Sequence, residues 1–454
     1  MRDSASFRDP SGYVYSENGE IFRRINPAYL PSYRKLIGSG LFRHLVKAAM
    51  LIPHKELAGQ IPESDGLVIR PQRIPMISYP YEWSFGMLKD AALLTLRIHL
   101  TALAYGMVLK DASAYNIQFI GCRPVLIDTL SFESYEDGAH WNAYGQFCRH
   151  FLAPLMLMRH SDIRLNQLLR VYPDGIPLDL ADKLLHGRGG LSALIHIRWH
   201  AKAIRKHEGG HGKILSGSQL FPLPLKQHMR LIRHLQTSVE KLEYRSGGSE
   251  WGLYHSHTSY SGAAACGKTA AVEELLQMAG GRRIWDFGAN DGYYTRLALK
   301  QGAELAAAFD SDPDAVENNY RQGKKYGENI LPLMLDLNNP SGGTGFAARE
   351  RMPLQERGNP DCIMMLAVIH HLAISNNVPL EKIASWLAEL APHVIIEFVP
   401  KEDPRVQSLL KCRKDIFPDY TRTGFERAFT EFFQMEKRIG LPDSLREIYL
   451  FRRK

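Results

Sequence analysis

Cysteine is scarce in this chain: five residues in 454, at positions 122, 148, 266, 362 and 412, and none forms a C-x-x-C pair. That pattern excludes a zinc knuckle and a disulfide scaffold, so no metal site is expected and a reducing, cytoplasmic compartment is. Long apolar runs are missing too. No stretch of eighteen apolar residues occurs, and the first residues, MRDSASFRDPSGYVY, lack the apolar core of a secretory signal. Neither a membrane-spanning helix nor a signal peptide is therefore expected. There is no long basic run either. The 56 Lys and Arg against 48 Asp and Glu leave a formal charge of +8, spread along the chain. A diffuse excess of that kind suits an anionic substrate and is a weak sign of nucleic-acid binding. Internal repeats and low-complexity tracts are absent. What remains is 45% hydrophobic and 23% charged, the composition of a globular protein, at a length that calls for two or three domains.

The most informative stretch present is RIWDFGANDGYYT, residues 283–295. It reads as a short apolar strand, a glycine turn and the start of a helix. Gly288 and Gly292 lack a Cβ, so the backbone there can approach a nucleotide-like ligand. A second apolar run, ELAAAFD, ends in Asp310, an acid placed to accept hydrogen bonds from ribose hydroxyls. The spacing is not that of a dinucleotide fingerprint, because Gly288 is followed by Ala-Asn-Asp-Gly rather than by G-x-G-x-x-G spacing.

From about residue 267 strand and helix patterns alternate. GKTAAVEELLQMAG is a helix, RIWDFG the first strand and TRLALKQG its helix. ELAAAFD is the second strand, followed by a helix capped by Asp312 and opened by Pro313. NILPLMLDL is the third strand, ending near Asp336, and a polar loop runs from Asn338 to Pro360. DCIMMLAVIHHL is the fourth strand and HVIIEFVP the fifth, with the helix PLEKIASWLAEL between them. The helix TGFERAFTEFF and two closing strands, FQMEKRIGL and REIYLFRRK, complete the half. The expected fold is α/β, a Rossmann-like doubly wound sheet with a C-terminal antiparallel hairpin.

These segments resemble class I S-adenosylmethionine (SAM)-dependent methyltransferases, whose motif I has the core D-x-G-x-G/N-x-G. The resemblance covers roughly residues 250–454 and implies SAM as cofactor. It implies that Asp286, Gly288, Asn290 and Gly292 cradle the methionine part, that Asp310 holds the ribose, and that Asp336 contacts adenine. For Asp336 the alternative is an ordinary loop cap. His370, at the end of LAVIHH, is the candidate base that takes a proton from an attacking hydroxyl; packing is its alternative, and His371 is a weaker candidate. Glu397 is a second candidate acid near the crevice. The N-P-P-Y tetrad of amide and amino methylation is absent. Tyr254 or Tyr260, in the aromatic segment 250–262, could cover the cofactor. His255 and His257 lack further ligands for a metal.

The N-terminal half carries a different signal. In MVLKDASAYNIQFIGCRPVLIDTLSFE, Asp111 stands five residues before Asn116, and an apolar strand ends in Asp128. This set is similar to the catalytic loop and metal-binding Asp of protein kinases and aminoglycoside phosphotransferases. The resemblance implies that Asp111 orients an acceptor hydroxyl while Asn116 and Asp128 hold Mg-ATP. MISYPYEW would be the strand and hinge that receive adenine, and KDAALLTLRIHLTALAYG a long helix before the loop. Leu109 replaces the motif histidine, Asp128-Thr-Leu replaces D-F-G, and GYVYSENGEIFRRI is a hairpin with no glycine-rich phosphate loop. An α+β kinase-like domain, reduced or inactive, and an unrelated α+β domain both remain open. The basic segment HIRWHAKAIRKHEGGHGK, residues 196–213, could face phosphate or nucleic acid or be a solvated helix end.

The expected organisation is an accessory or kinase-like domain over 1–240, a linker or cofactor lid over 241–266, and a methyltransferase domain over 267–454. The whole arrangement is similar to rhizobial nodulation-related methyltransferases. The expected activity is O-methylation of a small-molecule, lipid or glycan hydroxyl. The alternatives are an RNA or ribosomal-protein methyltransferase, and a bifunctional enzyme with an ATP-dependent phosphotransferase in the first half.

Overall fold

The computed structural model describes residues 2–57, 59, 62, 65–188, 190, 192–198, 222–246, 262–411 and 414–454. The chain divides into two compact units: unit 1 comprises Met1–Arg245 and Gly343–Arg351, and unit 2 comprises Ser246–Gly342 and Met352–Lys454. A nine-residue piece of the loop that sequence reading leaves within the second domain is thus part of unit 1. No described helix is long and apolar enough to cross a membrane.

Unit 1 begins with a four-stranded antiparallel sheet of order β1-β2-β4-β3, formed by β1 (Gly12–Glu17), β2 (Glu20–Ile25), β3 (His54–Glu56) and β4 (Leu67–Pro71). Asn18 and Gly19 join β1 to β2 with φ of 50° and 79°, the two left-handed positions of a tight hairpin turn, as the Asn-Gly pair predicts. The helix α1 (Phe85–Ala104) is capped by Ser84, whose Oγ accepts from the Met87 N–H. Twelve of its twenty residues are buried. The segment MISYPYEW before it is not a strand. Pro80–Glu82 is a 3₁₀ turn in which Glu82 Oε2 accepts from the Tyr79 N–H at 2.8 Å and the Tyr79 carbonyl accepts from the Glu82 N–H at 2.8 Å, and Pro80 has no N–H to give to a ladder.

After α1 come two short antiparallel pairs. The strand β5 (Met107–Leu109) pairs with β8 (Phe132–Ser134), and β6 (Ile117–Ile120) pairs with β7 (Arg123–Leu126). The loops leading out of β5 and β7 carry Asp111 and Asp128. A π-helical turn, Cys148–Leu152, then runs into the helix Ala153–His160. The helix α2 (Leu225–Glu240) packs along α1.

Unit 2 opens with the helix α3 (Gly262–Ala279) and builds a seven-stranded sheet from β9 (Arg283–Phe287), β10 (Leu305–Asp310), β11 (Ile330–Met334), β12 (Cys362–Met365), β13 (His393–Phe398), β14 (Phe433–Gly440) and β15 (Glu447–Arg453). The order is β11-β10-β9-β12-β13-β15-β14, parallel through β13, with β15 antiparallel between β13 and β14. The parallel strands are unbroken apolar runs because helices cover both faces of such a sheet. In Leu305–Asp310 five of six residues are buried, and in Cys362–Met365 all four are. The strand order reverses beside β9, which pairs with β10 on one side and β12 on the other. The connections diverge there and leave a crevice at the carboxyl ends of the strands.

The helices follow their sequence signals closely. Tyr293–Lys300 (α4) starts at Gly292 in the left-handed region. Pro313–Tyr326 (α5) is capped by Asp312 and stopped by Gly327 at φ 65°. Leu380–Leu390 (α6) precedes β13. Pro404–Leu410 (α7), which sequence reading does not anticipate, is capped by Asp403. Arg422–Phe432 (α8) is capped by Thr421. Two strands are shorter than their apolar runs: the fourth stops at Met365, and the third stops at Met334, ahead of Asp336.

Candidate functional site

In unit 2 the loop from β9 to α4 alternates conformations. Gly288, Asn290 and Gly292 all take left-handed φ, at 75°, 51° and 82°. The glycines are demanded by the protein itself as well as by any approaching ligand. A Cβ on Gly288 would lie 2.3 Å from Cγ2 of Val368, and one on Gly292 would lie 2.6 Å from the Asn319 amide. Asparagine tolerates the same region because its short amide bonds locally; here Asn290 Oδ1 accepts from the Asp291 N–H at 2.7 Å.

The loop is tied to the neighbouring strand. Gly288 and Ala289 both donate to the Phe309 carbonyl at 2.9 Å. Asp310 Oδ2 accepts from the Asn290 N–H at 2.8 Å, and its Oδ1 accepts from the Asp312 N–H at 2.9 Å. Burial raises the Asp310 pKa above the usual carboxylate range, against the pull of these backbone bonds. A carboxylate has about four acceptor positions, so Asp310 keeps capacity for a further donor. Asp286, 2% exposed, accepts from Thr295 Oγ1 at 2.6 Å. Burial pushes its pKa up to about 7, although Thr295 and Lys268 both favour the charged form.

Asp336 lies beyond the end of β11, exposed, and its Oδ1 accepts from the Asn338 N–H at 2.9 Å. In this structure its side chain caps a turn. His370 is not at a strand end. Ala367 takes φ 57°, which ends the extended run, and His370 sits at the start of a π-helical turn, His371–Ser375. His370 is 2% exposed, with no partner at Nδ1. Burial first, then the charges of His371, Arg446, Lys268 and Arg405, hold it neutral well below the usual histidine range.

Glu397 proves to be part of a buried ion network. Its Oε2 pairs with Lys268 Nζ at 2.7 Å and its Oε1 with Arg446 Nη1 at 3.4 Å. Arg446 also makes a two-pronged contact with Asp403, at 2.7 Å and 3.1 Å. Glu397 thus lies between two cations and holds both in place. Lys268, 4.9 Å over the Tyr294 ring, lies within electrostatic range of both Asp286 and His370. Sequence reasoning missed Lys268 and Arg446. The available signal is that Lys268 falls in helical register with the buried Ala271, Val272 and Leu275, a charge on an apolar stripe.

In unit 1 the three residues of the D-x4-N…D set do come together. Asp111 Oδ1 accepts from the Ser113 N–H at 2.9 Å, and its carboxyl also accepts from the Asn116 and Gln146 amides. Burial and the charge of Asp128 raise the Asp111 pKa. Asn116 Nδ2 donates to Ser131 Oγ at 3.3 Å, and Ser131 donates to Asp128 Oδ2 at 2.5 Å. Asp128 Oδ1 accepts from the Leu130 N–H and pairs with the guanidinium of Arg23. Burial works to raise the Asp128 pKa, and Arg23, Ser131 and Leu130 outweigh it and keep the group ionised. The charge that magnesium would neutralise is already met by Arg23, and both oxygens are engaged. The expectation of Mg-ATP therefore finds no support in this arrangement. No group of three or more metal-ligating side chains occurs among the described residues.

Tyr254, Tyr260, His255 and His257 lie outside the described residues, as does most of the basic segment 196–213.

No protein-family model matches the chain. It is 35% identical over 459 residues to the nodulation protein NoeA of Rhizobium meliloti (strain 1021), covering 100% of this chain and 96% of that protein. Among solved structures it is similar to the N-methyltransferase NodS of Bradyrhizobium japonicum WM9, with 12% identity, TM-score 0.32, and coverage of 42% of this chain and 98% of that one. It is also similar to the magnesium protoporphyrin IX methyltransferase of Synechocystis PCC 6803, with 15% identity, TM-score 0.32, and coverage of 45% and 93%. At these TM-scores the likeness carries no argument, and the fold of unit 2 stands on its strand order alone.

Proposed function

The chain belongs to the family of the nodulation protein NoeA, and on that premise we propose that unit 2 is a SAM-dependent methyltransferase acting on a hydroxyl of a small molecule, lipid or glycan. The observation that carries the reading is the Asp310–Asn290 hydrogen bond at the strand-order reversal. It holds a glycine loop with three left-handed residues at the carboxyl ends of β9 and β10. A loop so placed can cradle a nucleoside and an amino-acid chain side by side.

In this reading Gly288, Asn290 and Gly292 present loop backbone to the cofactor. Asp286, ionised on binding, faces its ammonium group, and Asp310 uses its spare acceptor capacity for the ribose hydroxyls. Asp336 would turn from its capping role toward adenine. Bound SAM supplies an electrophilic methyl group. His370, neutral and with a free acceptor at Nδ1, takes the proton from the acceptor hydroxyl. The Lys268–Glu397–Arg446–Asp403 network stiffens the floor beneath these groups.

The test is calorimetry of S-adenosylhomocysteine with the full chain, followed by transfer of radiolabelled methyl from SAM into fractionated cell extract. Binding that is lost in Gly288→Val, with label in lipid or polysaccharide, supports the proposal. Absence of binding refutes the cofactor assignment, and label in RNA or protein refutes the acceptor.

A further inference from the structure

Among the described residues, several buried polar atoms of unit 1 have no hydrogen-bond partner, and three of them, Nε of Arg149, Nδ1 of His150 and Nε of Arg351, belong to one cluster. Orphaned buried groups are uncommon in folded proteins and call for an explanation. These three are neighbours. The Arg351 guanidinium stacks 4.1 Å over the Tyr115 ring, and His150 meets the same ring edge-on, with centroids 6.0 Å apart. Both arginines bear electrostatically on His150. Neither arginine has a carboxylate ion-pair partner among the described residues.

The fold assembles this cluster from strained parts. Arg149 and His150 are consecutive on the π-helical turn Cys148–Leu152, a geometry that is rare and concentrated at functional sites. Gly175, at φ 89°, presses against that turn; a Cβ there would lie 2.6 Å from Cβ of Arg149. Arg351 arrives on the segment Gly343–Arg351, where Ala347 and Ala348 both take left-handed φ, at 54° and 56°. That segment is anchored by Glu350, which accepts from the Arg8 guanidinium, and by the Arg349 carbonyl, which accepts from Ser4 Oγ at 2.7 Å.

We infer that Arg149, His150 and Arg351 form a binding site for a phosphate that carries a proton, either free hydrogen phosphate or the monoanion of a phosphate monoester. Guanidinium groups are the usual partners of such oxyanions, and two unmet Nε donors on arginines that both act on His150 ask for an acceptor of that kind. The imidazole adds a constraint. Its one N–H bonds the Asp174 backbone carbonyl, so Nδ1 offers a lone pair and needs a donor. Hydrogen phosphate has an O–H to give and sulfate at neutral pH has none. The site therefore selects phosphate over sulfate. It lies within unit 1 and rests on none of the methyltransferase assignments.

The test uses the full-length protein and thermal unfolding, with isothermal titration for affinity. The probes are inorganic phosphate and glucose 6-phosphate, with sulfate and chloride at matched ionic strength as controls. Stabilisation by phosphate, weaker for sulfate and reduced about tenfold or more in affinity by Arg149→Gln or Arg351→Gln, is the expected result. Tighter binding of the sugar phosphate identifies a monoester site, and equal binding identifies a free-phosphate site. Phosphate acting no better than chloride overturns the inference, as does undiminished binding in folded Arg149→Gln. Equal binding of sulfate and phosphate overturns the part given to His150. If Arg351→Gln fails to fold, Arg149→Gln decides alone, since circular dichroism establishes whether it has kept its structure.

Discussion

Asp310 accepts the Asn290 N–H through one carboxylate oxygen and the Asp312 N–H through the other. One side chain thus fixes both the glycine loop and the start of α5. Replacing it by alanine removes the anchor and the proposed ribose contact together; asparagine keeps an acceptor and loses the charge. Asp310→Ala should weaken SAM binding more than tenfold, and Asp310→Asn by less. Titration calorimetry of both variants checks this, and equal losses would mean that charge at this position does all the work.

Gly288 has no room for a side chain, because Val368 already fills the space. Gly288→Val should abolish SAM binding. A paired Gly288→Ala, Val368→Ala variant removes the clash and keeps the left-handed strain of about 1 kcal/mol, so it should recover part of the affinity. Recovery that exceeds the wild type would show that the glycine serves packing alone.

Asp286 carries a pH signature. Its folded pKa is raised to about 7 from an ordinary 3.8, so between those values the folded protein holds a proton that the unfolded chain has released. Stability contributed by this group falls as pH rises through that window, and the penalty is complete above it. Asp286→Asn has no charge to bury. Urea unfolding without cofactor should show the asparagine variant gaining on the wild type between pH 5 and 7.5. A constant difference would mean the carboxyl is solvated.

His370→Gln should lower turnover by about a hundredfold or more while leaving cofactor affinity within twofold, as expected when a general base is lost. Single-turnover methyl transfer, read beside calorimetry, separates the two quantities. Activity equal to wild type would leave the imidazole a packing group.

Breaking the buried network should be costly in an asymmetric way. Lys268→Met leaves Glu397 short of a counter-charge and should destabilise by about 3–5 kcal/mol. Adding Glu397→Gln to it removes the orphaned charge and should restore part of that loss. Chemical denaturation of the single and double variants measures the coupling, and strict additivity would show that the pair is independent.

Much of unit 2 was legible because its strands are short uninterrupted apolar runs and its helices carry explicit caps, such as Asp312 ahead of Pro313. The reading failed where apolar character outlasts the extended backbone. LAVIHH continues DCIMM without a break in hydropathy, yet Ala367 turns left-handed and carries His370 off the strand. Hydrophobic pattern reports burial, and burial does not distinguish the last residue of a strand from the first of a tight turn. Pairings between distant residues were illegible for another reason. Nothing near Arg23 announces that its partner is Asp128, and nothing near Arg446 announces Asp403 and Glu397.

The chain leaves unit 1 at Arg245, returns to it for nine residues at Gly343, and leaves again after Arg351. During synthesis unit 1 must therefore wait for about a hundred further residues before its last piece exists. At ribosomal rates of about 5–20 residues per second that is a delay of roughly 5–20 s. Until then Arg8 lacks Glu350 and Tyr115 lacks Arg351, so a nascent chain stalled before residue 343 presents an incomplete N-terminal unit to chaperones and proteases. A fragment cut at the apparent domain boundary is that same unfinished intermediate, made permanent.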